Sequence, residues 1–424
     1  MSSDPKGLRA LATALTAQSH RLWHAGSERR ARWLAKGFSL LRDPQHPLGR
    51  RAHVELGHAS GMDSKMVRWA LNTALAPLTT EALLALDRQV VAPNRHALRT
   101  HPGQLCVVVL ASNVFTAAAR GVGLPLLFGW PVLAKPSSRE DTFPRLLRAA
   151  LCEADDQLGA AYNVVTFAAE QTSGHAALFE QADAVSVFGS DNTLNTIRAQ
   201  LGATVTFIGH GHGLGAAFVG AQALTSTEDA RDAARKLALD VAAYDQRGCL
   251  SPHVAWITRG AEVSPLAFAE LLHEQLASLA RDLPRGPLPF EVAAAQVSYR
   301  GLAAIHGKLL EGDGFAVCYE ERASFRVSPG YRNLQLLCVD TLEELADRLA
   351  PLGMHLKCLG VAGLGDPAAL LRAMPARVAP RICPLGTMQS PPVDALQDGA
   401  PPWEGLVRWL EVAPSDVAAP RPSF

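Results

Sequence analysis

Apolar and polar positions alternate in two different ways along this chain. Between Pro5 and Asp87 apolar residues recur at helical spacing, as in Leu8, Leu11 and Leu15 and again in Trp69, Leu71 and Leu75, which predicts a helical N-terminal region. The stretches Asp43-Pro44-Gln45-His46-Pro47 and Ala76-Pro77-Leu78-Thr79-Thr80 break it, and the second offers threonine N-caps ahead of Glu81. From Gly103 to Val219 the pattern becomes short apolar runs, Leu105–Leu110, Pro131–Ala134, Tyr162–Phe167, Ala184–Phe188 and Ala203–Ile208, separated by helical stretches. That alternation predicts an α/β fold, a largely parallel, doubly wound sheet with helices on both faces.

A long helical run, Ser226 to Tyr244, then leads through Gln246-Arg247-Gly248-Cys249-Leu250-Ser251-Pro252-His253 into a strand, His253–Ile257. Helix Pro265–Leu283, strands Phe315–Tyr319 and Leu334–Val339, helix Leu342–Leu352 and strand Leu356–Val361 predict a second α/β domain. The Pro-rich stretch Ser390–Pro402 leads to a short helix around Leu406–Leu410, and Val417–Phe424 reads as loose. The chain thus divides into a helical region 1–94, a nucleotide-binding domain 95–220, a catalytic domain 221–390 and a Pro-rich C-terminal segment 391–424.

Composition narrows the class. In 424 residues, 48% hydrophobic, the 40 basic and 40 acidic side chains cancel, so nothing electrostatic calls for nucleic acid or an anionic membrane as partner. Seven cysteines without a CxxC pair give neither a disulfide framework nor a metal site, and they fit a reducing cytoplasm. Arg9, Arg21, Arg29, Arg30 and Arg32 interrupt any signal-peptide core, and the longest apolar run, Leu124 to Ala134, is too short to span a membrane and carries two prolines. A small-molecule enzyme is the expected class.

Three predicted strand ends carry polar or glycine signatures: Ala111-Ser112-Asn113, Lys135-Pro136-Ser137-Ser138 and Phe188-Gly189-Ser190. Ligands of open α/β sheets bind beyond the carboxyl ends of the strands, so a nucleotide site is expected there. The usual G-x-G-x-x-G is absent: Gly121-Val122-Gly123 lacks the third glycine, and Gly209-His210-Gly211-His212-Gly213 has glycine at every second position. Gly189-Ser190 offers backbone N–H groups to a phosphate at a helix start, or serves as an ordinary N-cap. Cys249, directly after a glycine and among polar neighbours, reads as an exposed nucleophile whose thiolate Arg247 or His253 would favour; the other reading is a buried structural cysteine. His210 and His212 read as glycine-loop residues, because no carboxylate or further histidine lies at metal spacing beside them. His253 is a candidate acid or base for Cys249, four residues away, although Pro252 precludes a regular helix between them.

Two stretches carry a resemblance: Arg247-Gly248-Cys249-Leu250-Ser251-Pro252-His253, and Arg381-Ile382-Cys383-Pro384-Leu385-Gly386-Thr387-Met388-Gln389 with Pro391-Pro392. With the sheet-end motifs they resemble the aldehyde dehydrogenase superfamily, most closely its LuxC-type acyl-CoA reductase branch, over roughly residues 95–400. The resemblance implies an aldehyde dehydrogenase-like fold, makes 95–220 a nicotinamide-binding domain and puts Cys249 at the nucleophile and Asn113 at the amide that stabilises the oxyanion. It puts Lys135 at the cofactor ribose, with Ser112, Ser137, Ser138, Phe188, Gly189, Ser190 and Gly209 around the cofactor. Ile208 falls where hydrolytic relatives keep a water-activating glutamate, which favours reduction of an acyl-enzyme over its hydrolysis. The Glu-x-Phe-Gly-Pro contact to the nicotinamide ribose is missing, with Ser328-Pro329-Gly330 nearest. No acid follows Lys135 at three residues, where Ser138 and then Arg139 stand, so NADPH is the expected cofactor, with NADH also admissible. An acyl-CoA or acyl carrier protein substrate, an acyl-activating or acyl-transferring partner enzyme and a homo-oligomer are implied. The rival reading is a cysteine acyltransferase or thioesterase with His253 as base and no nicotinamide; a silent scaffold is disfavoured by having both Cys249 and Asn113.

Overall fold

The computed structural model describes residues 4–375, 378 and 380–412. Its N-terminal part is helical throughout: α1 (Pro5–Thr16), α2 (Ser19–His24), α3 (Gly26–Arg42), α4 (Pro47–Ser60), α5 (Ser64–Leu75) and α6 (Thr80–Arg88). The expected breaks at Asp43–His46 and Ala76–Thr79 are present, and Thr79 caps α6 by accepting the Ala82 N–H at 3.2 Å. These helices are more than a lead-in. Leu34, Phe38 and Leu41 of α3 share one core with Met66 and Leu71 of α5 and with Phe128 and Trp130 beside the first sheet. Truncating Phe38 there would cost about 3–5 kcal/mol.

Strand β1 (Ala97–Thr100) comes next, and then the first sheet with its helices: β2 (Cys106–Val109), α7 (Ala117–Phe128), β3 (Val132–Lys135), α8 (Thr142–Ala154), α9 (Asp156–Ala160), β4 (Tyr162–Val164), α10 (Thr172–Phe179), β5 (Ala184–Phe188), α11 (Asp191–Arg198) and β6 (Thr206–His210). Five strands run parallel in the order β4-β3-β2-β5-β6. Every residue of β2 and β3 is buried, as expected where helices cover both faces. The chain winds one way from β2 through β3 to β4 and the other way from β5 to β6, so a topological switch point lies between β2 and β5.

The break between sheets falls at 211–213. Strand β7 (Leu214–Val219), which a boundary at 220 would leave with the first sheet, pairs instead inside the second. There follow α12 (Thr227–Ala242), β8 (Pro252–Thr258), α13 (Pro265–Asp282), α14 (Phe290–His306), β9 (Lys308–Gly312), β10 (Phe315–Tyr319), β11 (Asn333–Val339), α15 (Leu342–Leu349), β12 (Leu356–Ala362), α16 (Pro367–Ala373) and β13 (Arg381–Pro384). Their order is β13-β12-β7-β8-β11-β10-β9, parallel except for β9 against β10. Successive residues of β8 serve opposite faces, Ala255 and Ile257 one core and Val254 and Trp256 the other.

Where a helix is expected around Leu406–Leu410, the chain forms a strand, β14 (Arg408–Glu411), antiparallel to β1 with Ala97 opposite Glu411 and Thr100 opposite Arg408. A short segment of mixed polarity takes its conformation from the partner it meets, and no local pattern announces β1 310 residues earlier. The Trp130 indole N–H donates to the Leu406 carbonyl at 2.8 Å and ties this end of the chain to the first sheet. Val417–Phe424 lie outside the described residues. Among those described, no helix is long and apolar enough to cross a membrane.

Candidate active site

The cysteine turn is built on backbone strain. After α12, Tyr244, Asp245 and Gln246 take φ of 52°, 53° and 58°, a left-handed run that costs side-chain-bearing residues roughly 1–3 kcal/mol each. Buried contacts hold it there. The Asp245 carboxylate accepts from Arg332 at 2.7 Å and from the Gly286 N–H at 3.1 Å, while its carbonyl accepts the Tyr331 N–H. Gln246 accepts the Asn333 N–H at 2.8 Å and donates to the carbonyls of Pro252 and Asn333. Gly215 lets the turn approach β7: a Cβ there would lie 2.3 Å from the Leu250 carbonyl oxygen. Cys249 emerges from this support exposed to solvent, which removes the buried-structural reading.

The electrostatics differ from expectation. Protein crowding raises the Cys249 thiol above its ordinary value, the Asp398 carboxylate adds to the rise, and the Lys357 ammonium opposes it. Arg247 does not activate the sulfur, because its guanidinium donates to the Ser60 carbonyl at 2.8 Å and lies over the Tyr331 ring. His253 does not either. Burial depresses its imidazole to about 4 against the pull of the Ser328 carbonyl, and its Nδ1 is buried without a hydrogen-bond partner. The thiol therefore rests protonated at neutral pH and needs a base.

Asn113, at the exposed end of β2, reaches across to this turn: its Nδ2 donates to the Arg247 carbonyl at 3.1 Å, two residues before the nucleophile. Two residues of extended chain span at most about 7 Å, so Asn113 lies on the same side of the cleft as Cys249 and near its turn. Ser112 is half-buried beside it. At the end of β3, Lys135 is buried with its ammonium over the Phe167 ring at 5.2 Å, and burial lowers its pKa while Glu170 raises it. The Ser137 hydroxyl accepts the Arg139 N–H, and Ser138 is exposed. Ser190 caps α11 through the Thr193 N–H, and Gly189 packs against Thr193. Gly209 packs under Phe207 and Leu194. Lys135, Ser190 and Asn113 thus sit at neighbouring strand ends around the switch point. The buried Ser328 hydroxyl donates to Asn333 O and accepts the Gly330 N–H, closing the turn that braces Gln246.

Sequence reading missed one cluster. His210 Nδ1 lies 3.1 Å from a carboxylate oxygen of Asp398, and Lys357 of β12 holds the other. Burial works to raise the Asp398 carboxyl, and the hydrogen bonds and charges of His210 and Lys357 outweigh it, leaving the group below its ordinary value. Nothing near His210 in sequence announces Asp398, 188 positions on; the only local hint is Asp398-Gly399, a turn dipeptide inside a Pro-rich stretch. Gln389, nine-tenths buried, also comes to the turn, its Oε1 3.3 Å from where a Gly248 Cβ would stand. Its strand-end loop is held by Asp240, which accepts the N–H groups of Gly386 and Met388 at 2.6 and 3.0 Å.

A family model described as acyl-CoA reductase (LuxC) matches residues 78–409. No curated protein matches the chain in sequence. Among solved structures, an NAD-dependent benzaldehyde dehydrogenase from Corynebacterium glutamicum superposes with a TM-score of 0.74 at 16% identity, covering 97% of this chain and 90% of that one. The aldehyde dehydrogenase KauB from Pseudomonas aeruginosa gives 0.74 at 16% identity over 96% and 90%, and an indole-3-acetaldehyde dehydrogenase solved with NAD+ gives 0.73 at 16% over 96% and 90%. The two sheets and their helices are therefore an aldehyde dehydrogenase-like fold.

Proposed function

This chain belongs to the acyl-CoA reductase (LuxC) family of oxidoreductases, and from that premise we propose that it reduces an acyl thioester, a fatty acyl-CoA or acyl carrier protein, to the aldehyde through a Cys249 acyl-enzyme with NADPH. The observation that carries this reading is the Asn113 amide brought to the Cys249 turn from the other sheet. A thioester carbonyl attacked by sulfur develops an oxyanion, and one placed donor is worth about 3 kcal/mol there. Asn113 would release Arg247 O and turn its N–H to that oxygen.

The residues at the switch point fit a dinucleotide. Lys135 makes no ion pair among the described residues, so its ammonium is open to a ribose hydroxyl or phosphate, and the first N–H groups of α11 behind Ser190 suit a pyrophosphate. When bound, the reduced nicotinamide supplies the hydride. Of the acids that follow Lys135 closely in the chain, Glu140 accepts the Phe143 N–H at 2.9 Å and Asp141 pairs with Arg145, while Glu170 acts on the Lys135 ammonium. Ser138 and Arg139 stand exposed at the third and fourth positions after Lys135, where no carboxylate is placed to repel a 2′-phosphate, and this supports NADPH over NADH. Midway along β6, Ile208 packs against Gly405 and offers water no base.

Intact-protein mass spectrometry tests the reading. Acyl-CoA without nicotinamide should give one acyl adduct on Cys249, long-lived relative to turnover and cleared as aldehyde when NADPH is added. One observation favours the rival thioesterase reading, with His210 beside Asp398 in the part first given to His253. Rapid release of free fatty acid without cofactor would decide for it.

A further inference from the structure

Strands β12 and β13 bring two buried thiols together. In their parallel register Cys358 lies opposite Arg381 and Gly360 opposite Cys383, so the two cysteines are offset by two residues and leave the same face of the sheet. Both enter the core beneath α12, and their Sγ atoms stand 3.6 Å apart, in contact but unbonded. The thiols are unlike. The hydrogen bond from Cys358, helped by the Arg381 charge and the Thr387 hydroxyl, holds the Cys383 thiol below its ordinary value against burial, while the same bond together with burial drives Cys358 well above. One sulfur is thus suited to attack an oxidant and the other to resolve the product.

The chain leaving β13 connects this pair to the Cys249 turn. It folds back over the two sulfurs, since a Cβ on Gly360 would lie 2.5 Å from Met388 Sδ. The same Met388 comes within 2.9 Å of where a Gly215 Cβ would stand, at the point where Leu250 approaches β7, and Gln389 reaches Gly248. Strand β13 lies at the edge of its sheet, so β12 is its one partner in the ladder.

We propose that Cys358 and Cys383 form a reversible redox site, oxidised by a small hydroperoxide to a disulfide whose closure shifts β13 and loosens the Cys249 turn. This goes beyond the acyl-thioester reading and does not depend on it. The Cys383 thiolate attacks hydrogen peroxide: a sulfur–oxygen bond forms, the oxygen–oxygen bond breaks, and the departing hydroxide takes up the proton Cys383 gave up, leaving as water. The Cys358 sulfur then attacks the sulfenic sulfur, the sulfur–oxygen bond breaks, and that hydroxide takes the Cys358 proton as a second water. Two thiols lose two electrons and the peroxide gains them. To bond, the sulfurs must close from 3.6 Å to about 2.05 Å. A two-residue offset puts the Cα atoms roughly 8 Å apart, beyond the about 7 Å that a bridge spans, so the edge strand slides along β12 and carries 384–389 with it. Such a bridge is of the labile kind that a dithiol reverses.

Oxidation of the full chain carrying Cys249→Ser, in which the exposed thiol takes no part, tests this. Graded hydrogen peroxide, followed by alkylation of the remaining thiols and peptide mapping, should give a linked Cys358–Cys383 peptide and an intact mass lower by about 2 Da, both reversed by dithiothreitol. Hydrogen exchange of 384–389 and 244–251 should be at least about tenfold faster in the bridged form than in the reduced one. Cys358→Ala in the same background should form no bridge, leave Cys383 as a sulfenic acid that dimedone traps, and show no such change in exchange. Cys383→Ser should likewise form no bridge and show no change. Survival of both thiols at peroxide doses that oxidise Cys249 in the unaltered protein overturns the proposal, as does oxidation of Cys383 to the sulfinic acid with Cys358 left free. A bridge that leaves exchange in both segments within about twofold of the reduced form also overturns it, because the pair would then have no hold on the turn.

Discussion

Replacing Arg332 by methionine is the sharpest probe of how Cys249 is held. Arg332 and Asp245 are 2% and 1% exposed, and each of two guanidinium nitrogens donates to the same carboxylate oxygen. The substitution strands that carboxylate in the interior with the Gly286 N–H as its remaining donor, and losing one partner of a buried pair costs about 3–5 kcal/mol. The three left-handed residues from Tyr244 to Gln246 hold a strain of comparable size, roughly 1–3 kcal/mol each, which is released once the pair no longer restrains them. Arg332→Met should therefore lower the thermal midpoint by several degrees and slow Cys249 acylation beyond what the stability loss explains. Adding Asp245→Asn to it should recover part of the stability, because no charge is left buried alone, without recovering the acylation rate. Calorimetry and intact-mass acylation kinetics on both variants read the two effects separately. A midpoint within about one degree of the unaltered protein, together with an unchanged acylation rate, would refute the claim that this pair braces the nucleophile.

Cys249→Ala should lose the acyl adduct and all aldehyde formation yet bind NADPH as before, because Lys135 and Ser190 lie on other strand ends; fluorescence titration of the cofactor checks this. Ser138→Glu should reverse the cofactor preference by placing a carboxylate where a 2′-phosphate would be repelled, read as the ratio of kcat/KM for NADPH and NADH. His253 supplies a pH signature: its folded pKa of about 4 lies below the unfolded 6.5, so the unfolded chain binds more protons between these values. Stability should accordingly be full above pH 6.5 and fall by roughly 3 kcal/mol as pH drops through 4. His253→Phe should lack that component when its unfolding free energy is compared with the unaltered protein's at each pH, and a constant difference across the range would refute it.

Much of the architecture was legible because burial leaves a periodic trace. The β2 and β3 runs are apolar on both faces, the helical repeats of α3 and α5 are amphipathic, and Pro44 and Pro77 mark true breaks. The exposed turn that carries Cys249 and the strand end that leads to Asn113 were legible as placements, since a glycine-cysteine turn and a polar strand end are local signals. What escaped was nonlocal. The strand Arg408–Glu411 has no pattern apart from its partner at Ala97–Thr100, and Asp398 acquires chemistry only because folding brings it to His210 and Lys357. His253 misled for the converse reason: four residues suggest closeness to Cys249, but burial neutralises the imidazole and turns it to the Ser328 carbonyl.

The turn that carries Asp398 also sets a clock. Asp398 leaves the ribosome roughly 150 residues after Cys249, an interval on the order of ten to thirty seconds at ordinary elongation rates. For that time the nascent chain owns its nucleophile but not the carboxylate that orients the histidine, and β1 waits with an unpaired edge for β14. The nucleophile and the carboxylate that comes to act on it electrostatically are thus synthesised far apart and meet only through the fold.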